Sequence, residues 1–249
     1  MSTSAPLPVV TGEQMAAVDK AMVAVCGLEL MQVMETAGRA VAVIARRRWH
    51  RAGATGHIAI LCGSGGNGGD GFVCGRYLAS WGIPVELWLM RSSGELRGLT
   101  AHQLTVCRKI GMTIVEPELP ADFGNASLLV DGLFGFGLSA PPSGRAAALI
   151  QAANASPAPI LAIDIPSGIE ATAGNALGPV IRAECTVTLG LPKQGLLQKV
   201  GERCAGTVVV ADIGIPAAAY RAAGIPLTAA FQTTAYCDLA GEPILLDSI

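Results

Sequence analysis

From residue 57 onward, short apolar runs alternate with longer segments of helical patterning. HIAILCG, PVELWLM, LLVDGLFG, PILAIDIPSG, ECTVTLG and GTVVVADIG read as strands, separated by helices near 70–81, 99–110 and 144–155. That alternation predicts βαβ units with right-handed crossovers and a mostly parallel sheet, an α/β fold. Two helices precede the first strand. TGEQMAAVDKAMVAVCG carries a capping-box pattern, Thr11 with Gln14 three residues on, and closes at Gly27, a helix stop. A second helix runs roughly from Glu29 to His50; its end places Arg46, Arg47 and Arg48 near the negative pole of the helix dipole, a capping role set against a basic binding patch. The tail after Pro216 is alanine-rich and weakly patterned.

Composition narrows the picture. A chain of 249 residues suits one α/β domain, 1–249, and charged residues at 14% fit a sheet covered on both faces by helices. A net charge of −2 offers no footprint for nucleic acid. Seven cysteines, with no Cys-x-x-Cys pair and no histidines at ligand spacing, read as free thiols rather than a zinc site or disulfide framework. MSTSAPLPVV has neither a basic flank nor an apolar signal core, and no run approaches the ~18 apolar residues of a membrane span. A soluble, cytoplasmic protein with no membrane partner is expected.

Polar residues collect where the strands end: Gly63 to Asp70 after the first, then Asp131, then Asp164 and Ser167, then Lys193. In an open parallel sheet these carboxyl ends form the edge where ligands bind. The first of these loops, GSGGNGGDG, holds six glycines in the nine residues from Gly63 to Gly71. A strand, a glycine turn and a helix present backbone N–H groups and a helix N-terminus to an anion, and this glycine density predicts close backbone approach to a phosphate-bearing ligand. Gly63, Gly65 and Gly68 match G-x-G-x-x-G, but the acidic residue wanted at the end of the second strand is missing, since Glu86 sits near its start. No Gly-Lys-Ser/Thr follows, which excludes a Walker loop.

GSGGNGGDG, VDGLFGFGLS, AIDIPSGIEATAG and TVTLGLPKQG, in that order after TGEQMAAVDKAM and METAG, resemble the NAD(P)H-hydrate epimerase family, the YjeF N-terminal domain, over about residues 9–216. The resemblance implies a Rossmann-like three-layer α/β/α sandwich, usually a homodimer, that interconverts the R and S epimers of hydrated NADH and NADPH. A separate NAD(P)H-hydrate dehydratase then restores the cofactor; the chain is too short to hold that domain as well, so the dehydratase is expected on another chain. By motif, Asn67, Asp131 and Ser167 correspond to ligands of a potassium ion (K+), a hard cation suited to oxygen donors. Substrate is expected at Gly66, Asn67, Gly68, Gly69 and Asp70, at the turn Gly135, Phe136, Gly137, Leu138, Ser139, Ala140 and Pro141, and at Asp164. Two positions depart from the family pattern: Gly66 stands for an Asn, and Thr36 for the Asn of MENAG. Each removes an amide expected near the pocket, which is compatible with an alternative, a nucleotide-binding or interaction module of weak activity.

Plainer roles stand beside these. Asp70 reads equally as a helix N-cap, Ser167 as a turn former, and Lys193 as a solvated residue or a phosphate partner. Asp131 and Asp164 could merely hold turns, but two aspartates at neighbouring strand ends beside glycine loops point to function. The hydrated carbon is a hemiaminal, and inverting it needs proton transfer to and from oxygen. Asp164 is the first candidate for that role and Asp131 for holding the cation, with the two roles exchangeable on sequence alone.

Overall fold

The computed structural model describes residues 7–116, 119, 121–226 and 235–244. Two helices, α1 (Gly12–Cys26) and α2 (Leu30–Arg51), lead into β1 (His57–Cys62), α3 (Gly66–Ser80), β2 (Val85–Leu89), α4 (Gly98–Lys109) and β3 (Thr113–Val115). After these come β4 (Ala126–Gly132), α5 (Gly144–Ala155), β5 (Ile160–Ile163), β6 (Cys185–Leu189), α6 (Lys199–Ala205) and β7 (Thr207–Ala211). The last elements are α7 (Ala217–Ala222) and β8 (Tyr236–Cys237).

The strands form one sheet in the order β3-β2-β1-β4-β5-β6-β7-β8. Every pairing is parallel except that of β8 with β7. The chain winds outward from β1 in one direction, then returns to β4 on β1's other side, so the order reverses between β1 and β4. That reversal is the switch point at which doubly wound sheets open a crevice.

Side chains on β1 show the three layers directly. Ile58, Ile60 and Cys62 pack into a cluster with Val18, Val41, Phe72 and Leu104 of α1 to α4, while Ala59 and Leu61 pack with Leu149 and Ile150 of α5. The fold is therefore an α/β/α sandwich with the mostly parallel sheet that the strand and helix pattern predicts, Rossmann-like as the family resemblance implies.

The helix signals act as expected. Thr11 accepts the Gln14 N–H at 3.1 Å and the Gln14 side chain returns a bond to Thr11 N–H at 2.9 Å, while Gly27 closes α1 at φ 69°. At the end of α2 the arginines have individual partners: Arg48 pairs with Glu184 at 2.6 Å and Arg46 lies 4.9 Å from the centre of the Trp81 ring. All seven cysteines are free. No helix among the described residues is long and apolar enough to cross a membrane. In the tail, α7 packs on α1 and β8 closes the sheet edge; residues 227–234 and 245–249 lie outside the described set.

Candidate functional site

The carboxyl ends of β1, β2, β4, β5 and β6 surround a cleft of about 1110 Å³. Its wall includes Gly66, Asn67 and Asp70 from α3, the turn from Gly135 to Pro141, and Asp164, but not Gly68, Gly69, Asp131 or Ser167.

α3 starts earlier than the sequence suggests, at Gly66 with Gly65 as its N-cap, so Asn67 to Asp70 lie inside its first turns and Asp70 is not the cap. The glycines divide into two groups. A Cβ on Gly63 would strike the Leu133 carbonyl, one on Gly68 the Gly63 backbone, and one on Gly69 the Met34 side chain. Only Gly65 and Gly66 have open space above them. Most of the glycine density thus lets α3 sit tightly on β1, β4 and α2, which corrects the reading that the whole loop is bared for a ligand. Glu86 is no ribose ligand either: it accepts the Trp88 indole N–H at 3.0 Å and lies 3.3 Å from His57, at the opposite end of β2.

At the end of β5 the backbone is strained. The Ile165 N–H bonds to the Ile163 carbonyl at 2.9 Å, which places Asp164 at the centre of a three-residue turn with φ 68°. That is the rare hand of γ-turn, costly for any residue with a Cβ. The end of β6 makes a similar turn from Leu191 N–H to Leu189 O, and there the central residue is Gly190 at φ 72°. One site uses glycine, whereas the other keeps an aspartate in spite of the strain.

The Asp164 carboxylate is fixed from three sides. Oδ2 accepts the Phe136 N–H at 3.1 Å, Oδ1 accepts the Leu189 N–H at 3.4 Å, and Oδ1 also pairs with Lys193 Nζ. Lys193 is 1% exposed and donates to the Leu189 carbonyl at 2.7 Å, so the expectation of a solvated lysine is overturned. It is buried because the segment before α1 crosses it: Val10 bridges Lys193, and Gln194 N–H bonds to the Val10 carbonyl at 2.8 Å.

Two further carboxylates share this corner. Burial, opposed by Lys193 and reinforced by Asp164, pushes the Asp19 carboxyl up to about 6. Burial also raises Asp70 well above the carboxylate range, with Asp164 and Asp19 adding to the effect and Lys193 opposing it. Asp19 escaped the sequence reading although a signal existed. It sits four residues after Met15 and three before Met22, on the same helical stripe, and all three line the cleft.

Asp131 lies behind the cleft wall, fully buried inside β4. Its Oδ2 accepts the Ser167 N–H at 2.8 Å, and its Oδ1 accepts the Ser167 hydroxyl at 2.6 Å and the Leu133 N–H at 3.2 Å. These donors are neutral; burial outweighs them and lifts the carboxyl to about 6. Asn67 donates Nδ2 to the Ile163 carbonyl at 3.2 Å, and its main-chain oxygen would lie 3.1 Å from a Cβ on Gly132. Its Oδ1 and Asp164 Oδ2 converge on Gly135, each 3.2 Å from where a Cβ would stand. Asp131 and the Ser167 hydroxyl offer oxygen donors of the kind a hard monovalent cation takes, whereas the Asn67 Oδ1 points toward Gly135 beside Asp164. Among the described residues no cluster of three or more His, Cys, Asp or Glu could hold a metal ion.

The two departures from the family pattern separate as well. Gly66 faces the cleft with room for a side chain, whereas Thr36 is exposed on α2, donates to the Gln32 carbonyl at 3.1 Å, and is no part of the cleft wall.

The family model described as YjeF-related protein N-terminus matches residues 30–195, from α2 through the Lys193 loop. The chain belongs to this family. An NAD(P)H-hydrate epimerase of Dehalogenimonas lykanthroporepellens is 37% identical over 87% of this chain and 86% of that protein. The bifunctional NAD(P)H-hydrate repair enzyme Nnr of Moorella thermoacetica is 36% identical over 83% of this chain, which spans 40% of that longer enzyme. The crystal structure of yeast ynu0 superimposes with a TM-score of 0.74 at 25% identity, covering 93% of this chain and 100% of that one. The family match thus covers every strand end that shapes the cleft.

Proposed function

We propose that the chain is an NAD(P)H-hydrate epimerase, an isomerase that interconverts the R and S forms of hydrated NADH and NADPH. The observation that carries this reading is Asp164: a strained, ion-paired carboxylate at the switch-point cleft of a chain whose relatives bear that name. The cleft volume lies just above the usual range for small-ligand sites, room enough for a dinucleotide.

The substrate carbon bears a hydroxyl and the ring nitrogen. When the nitrogen lone pair expels the hydroxyl, the departing oxygen takes a proton and leaves as water, with an iminium ion remaining in the ring. Water then adds to the other face and gives one proton back, so atoms and charge balance over the cycle. The buried Asp70 carboxyl, raised well above the carboxylate range, supplies this proton, and Asp164, paired with Lys193 and held in one direction by Phe136 N–H, relays it to the departing oxygen and recovers it from the incoming water. Asp19, with its carboxyl near 6, and Asp70 line the same cleft and form a local reservoir of protons. The turn from Gly135 to Pro141 and the open backbone at Gly65 and Gly66 hold the nucleotide.

A potassium ion held by Asn67, Asp131 and Ser167 would offset the Asp131 charge and help to orient the substrate. The same reading gives a cytoplasmic homodimer working together with a dehydratase activity, and the likeness to the bifunctional repair enzyme of Moorella thermoacetica supports the pairing of the two activities.

The test is to incubate the purified protein with one separated hydrate epimer, in potassium buffer, and to follow the other epimer by chromatography. Interconversion well above the spontaneous rate is expected. No acceleration at high protein concentration would leave the fold as a nucleotide-binding module.

A further inference from the structure

The strand order around β1 gives the cleft a direction. In a doubly wound sheet of order 3-2-1-4-5, the adenosine half of a dinucleotide lies over the end of β2 and the pyrophosphate over the helix that follows β1. Asp164, the proposed reaction centre, follows β5, three strand spacings or about 14 Å from the end of β2. An extended dinucleotide bridges that distance. Its nicotinamide would then sit at Asp164 and its pyrophosphate at the first turn of α3, where Gly65 and Gly66 leave open space.

What lies at the end of β2 therefore meets the adenosine ribose. A chain selective for the unphosphorylated cofactor places a carboxylate there to take the ribose hydroxyls, while an arginine nearby suits a 2′-phosphate. Here β2 ends at Leu89 and runs on through Met90 into Arg91 and Ser92, all three of which line the cleft after Leu89. Arg91 is more than half exposed, so its guanidinium can turn toward a ligand without losing packing.

One carboxylate does stand close. Glu95 accepts the Ser92 N–H at 3.0 Å and lies 3.6 Å from Arg91 Nη1. It is itself half exposed and makes only a single-atom contact with the guanidinium. A phosphate with nearly two charges and three acceptor oxygens outcompetes such a contact, because bidentate arginine–phosphate pairs are much stronger than screened surface ion pairs.

We infer that Arg91 and Ser92 form a subsite for the adenosine 2′-phosphate, so that the cleft favours hydrated NADPH over hydrated NADH. This rests on the epimerase reading for the identity of the substrate, but the subsite itself can be tested without turnover.

The experiment is titration calorimetry of the full chain with adenosine 2′,5′-bisphosphate and with 5′-AMP, which differ only in the phosphate concerned. The bisphosphate should bind at least about tenfold more tightly, a difference of ~1.4 kcal/mol. Arg91→Ala should bring the two within about twofold, and Glu95→Gln should tighten the bisphosphate by removing the competing carboxylate. Equal or tighter binding of 5′-AMP to the unmodified protein overturns the inference, as does an undiminished preference in Arg91→Ala or no binding of either nucleotide. A protein that epimerises both hydrates with equal kcat/KM loses the subsite and keeps its function; one that prefers the bisphosphate but turns over neither hydrate keeps the subsite and loses the function.

Discussion

Asp131 and Asp164 are near twins in sequence, each at the end of an apolar strand and each beside a glycine-bearing turn. The fold makes them opposites. Asp131 is sealed inside β4, bonded only by neutral N–H and O–H donors, with Ser167 and Leu133 locking it behind the wall of the cleft. Asp164 faces into the cleft from a strained turn and is paired with a buried ammonium. The difference arises one strand away: Lys193, which reaches Asp164 from the loop after β6, has no counterpart at Asp131 among the described residues. A carboxylate with its own cation suits the proposed proton relay, whereas one without suits the proposed cation site.

The largest expected effect comes from removing the partner that distinguishes the two. Lys193→Met leaves Asp164 as a buried, unpaired charge and should cost about 3–5 kcal/mol of stability, read from denaturant unfolding. A loss below 1 kcal/mol would mean that the Asp164 side of the comparison is not held by this pair. Asp131→Asn keeps the shape of its side chain but turns one acceptor oxygen into a donor, so at least one of the three hydrogen bonds is lost, and a smaller loss of about 1–3 kcal/mol is expected in the same assay. If it exceeds that of Lys193→Met, the two sites have been ranked the wrong way round.

A smaller effect should appear in the pH dependence of stability. The folded protein retains the Asp19 proton up to about 6, while the unfolded chain releases it near 3.8. Between those values the native state binds more protons, so stability falls as pH rises through this window and levels off above it. Asp131 contributes with the same sign, its carboxyl lifted to about 6. Asp19→Asn should remove its share, on the order of 1 kcal/mol, from a melting-temperature profile taken across the window. A profile that superimposes on the unmodified protein would show that Asp19 titrates as it does in the unfolded chain. The smallest change is expected from Gly66→Asn, which restores the family's amide into open space. Stability should stay within about 0.5 kcal/mol while KM for the hydrate falls. A marked loss of stability would show that the bare backbone at Gly66 is itself required.

The alternation of apolar runs and helical segments carried most of the architecture, because β1, β2, β4, β5, β6 and β7 each bury a strand's worth of aliphatic side chains. β3, with three residues, and β8, with two, are too short to make a pattern and exist only because a neighbouring edge pairs with them. Within the site, the strand-end aspartates were legible from their position in the alternation, and the Gly135 to Pro141 turn only through the family resemblance. Lys193 was not, since a lysine in a Pro- and Gly-flanked loop looks solvated until the distant Val10 segment crosses it. The glycine loop misled in a different way. Tight helix–sheet packing and close ligand approach both demand glycine, and only the neighbours of each Cα tell them apart.

Asp164 is the proposed carrier of proton transfer in the cleft. Asp164→Asn keeps the shape of the side chain and the tolerance of its left-handed backbone while removing the titratable group. Measured with a single hydrate epimer, its turnover should fall by about 10² to 10⁴-fold, with affinity for NADP+ held within about tenfold. Turnover near that of the unmodified protein would contradict the account and move the proton-transfer role to Asp19 or Asp70.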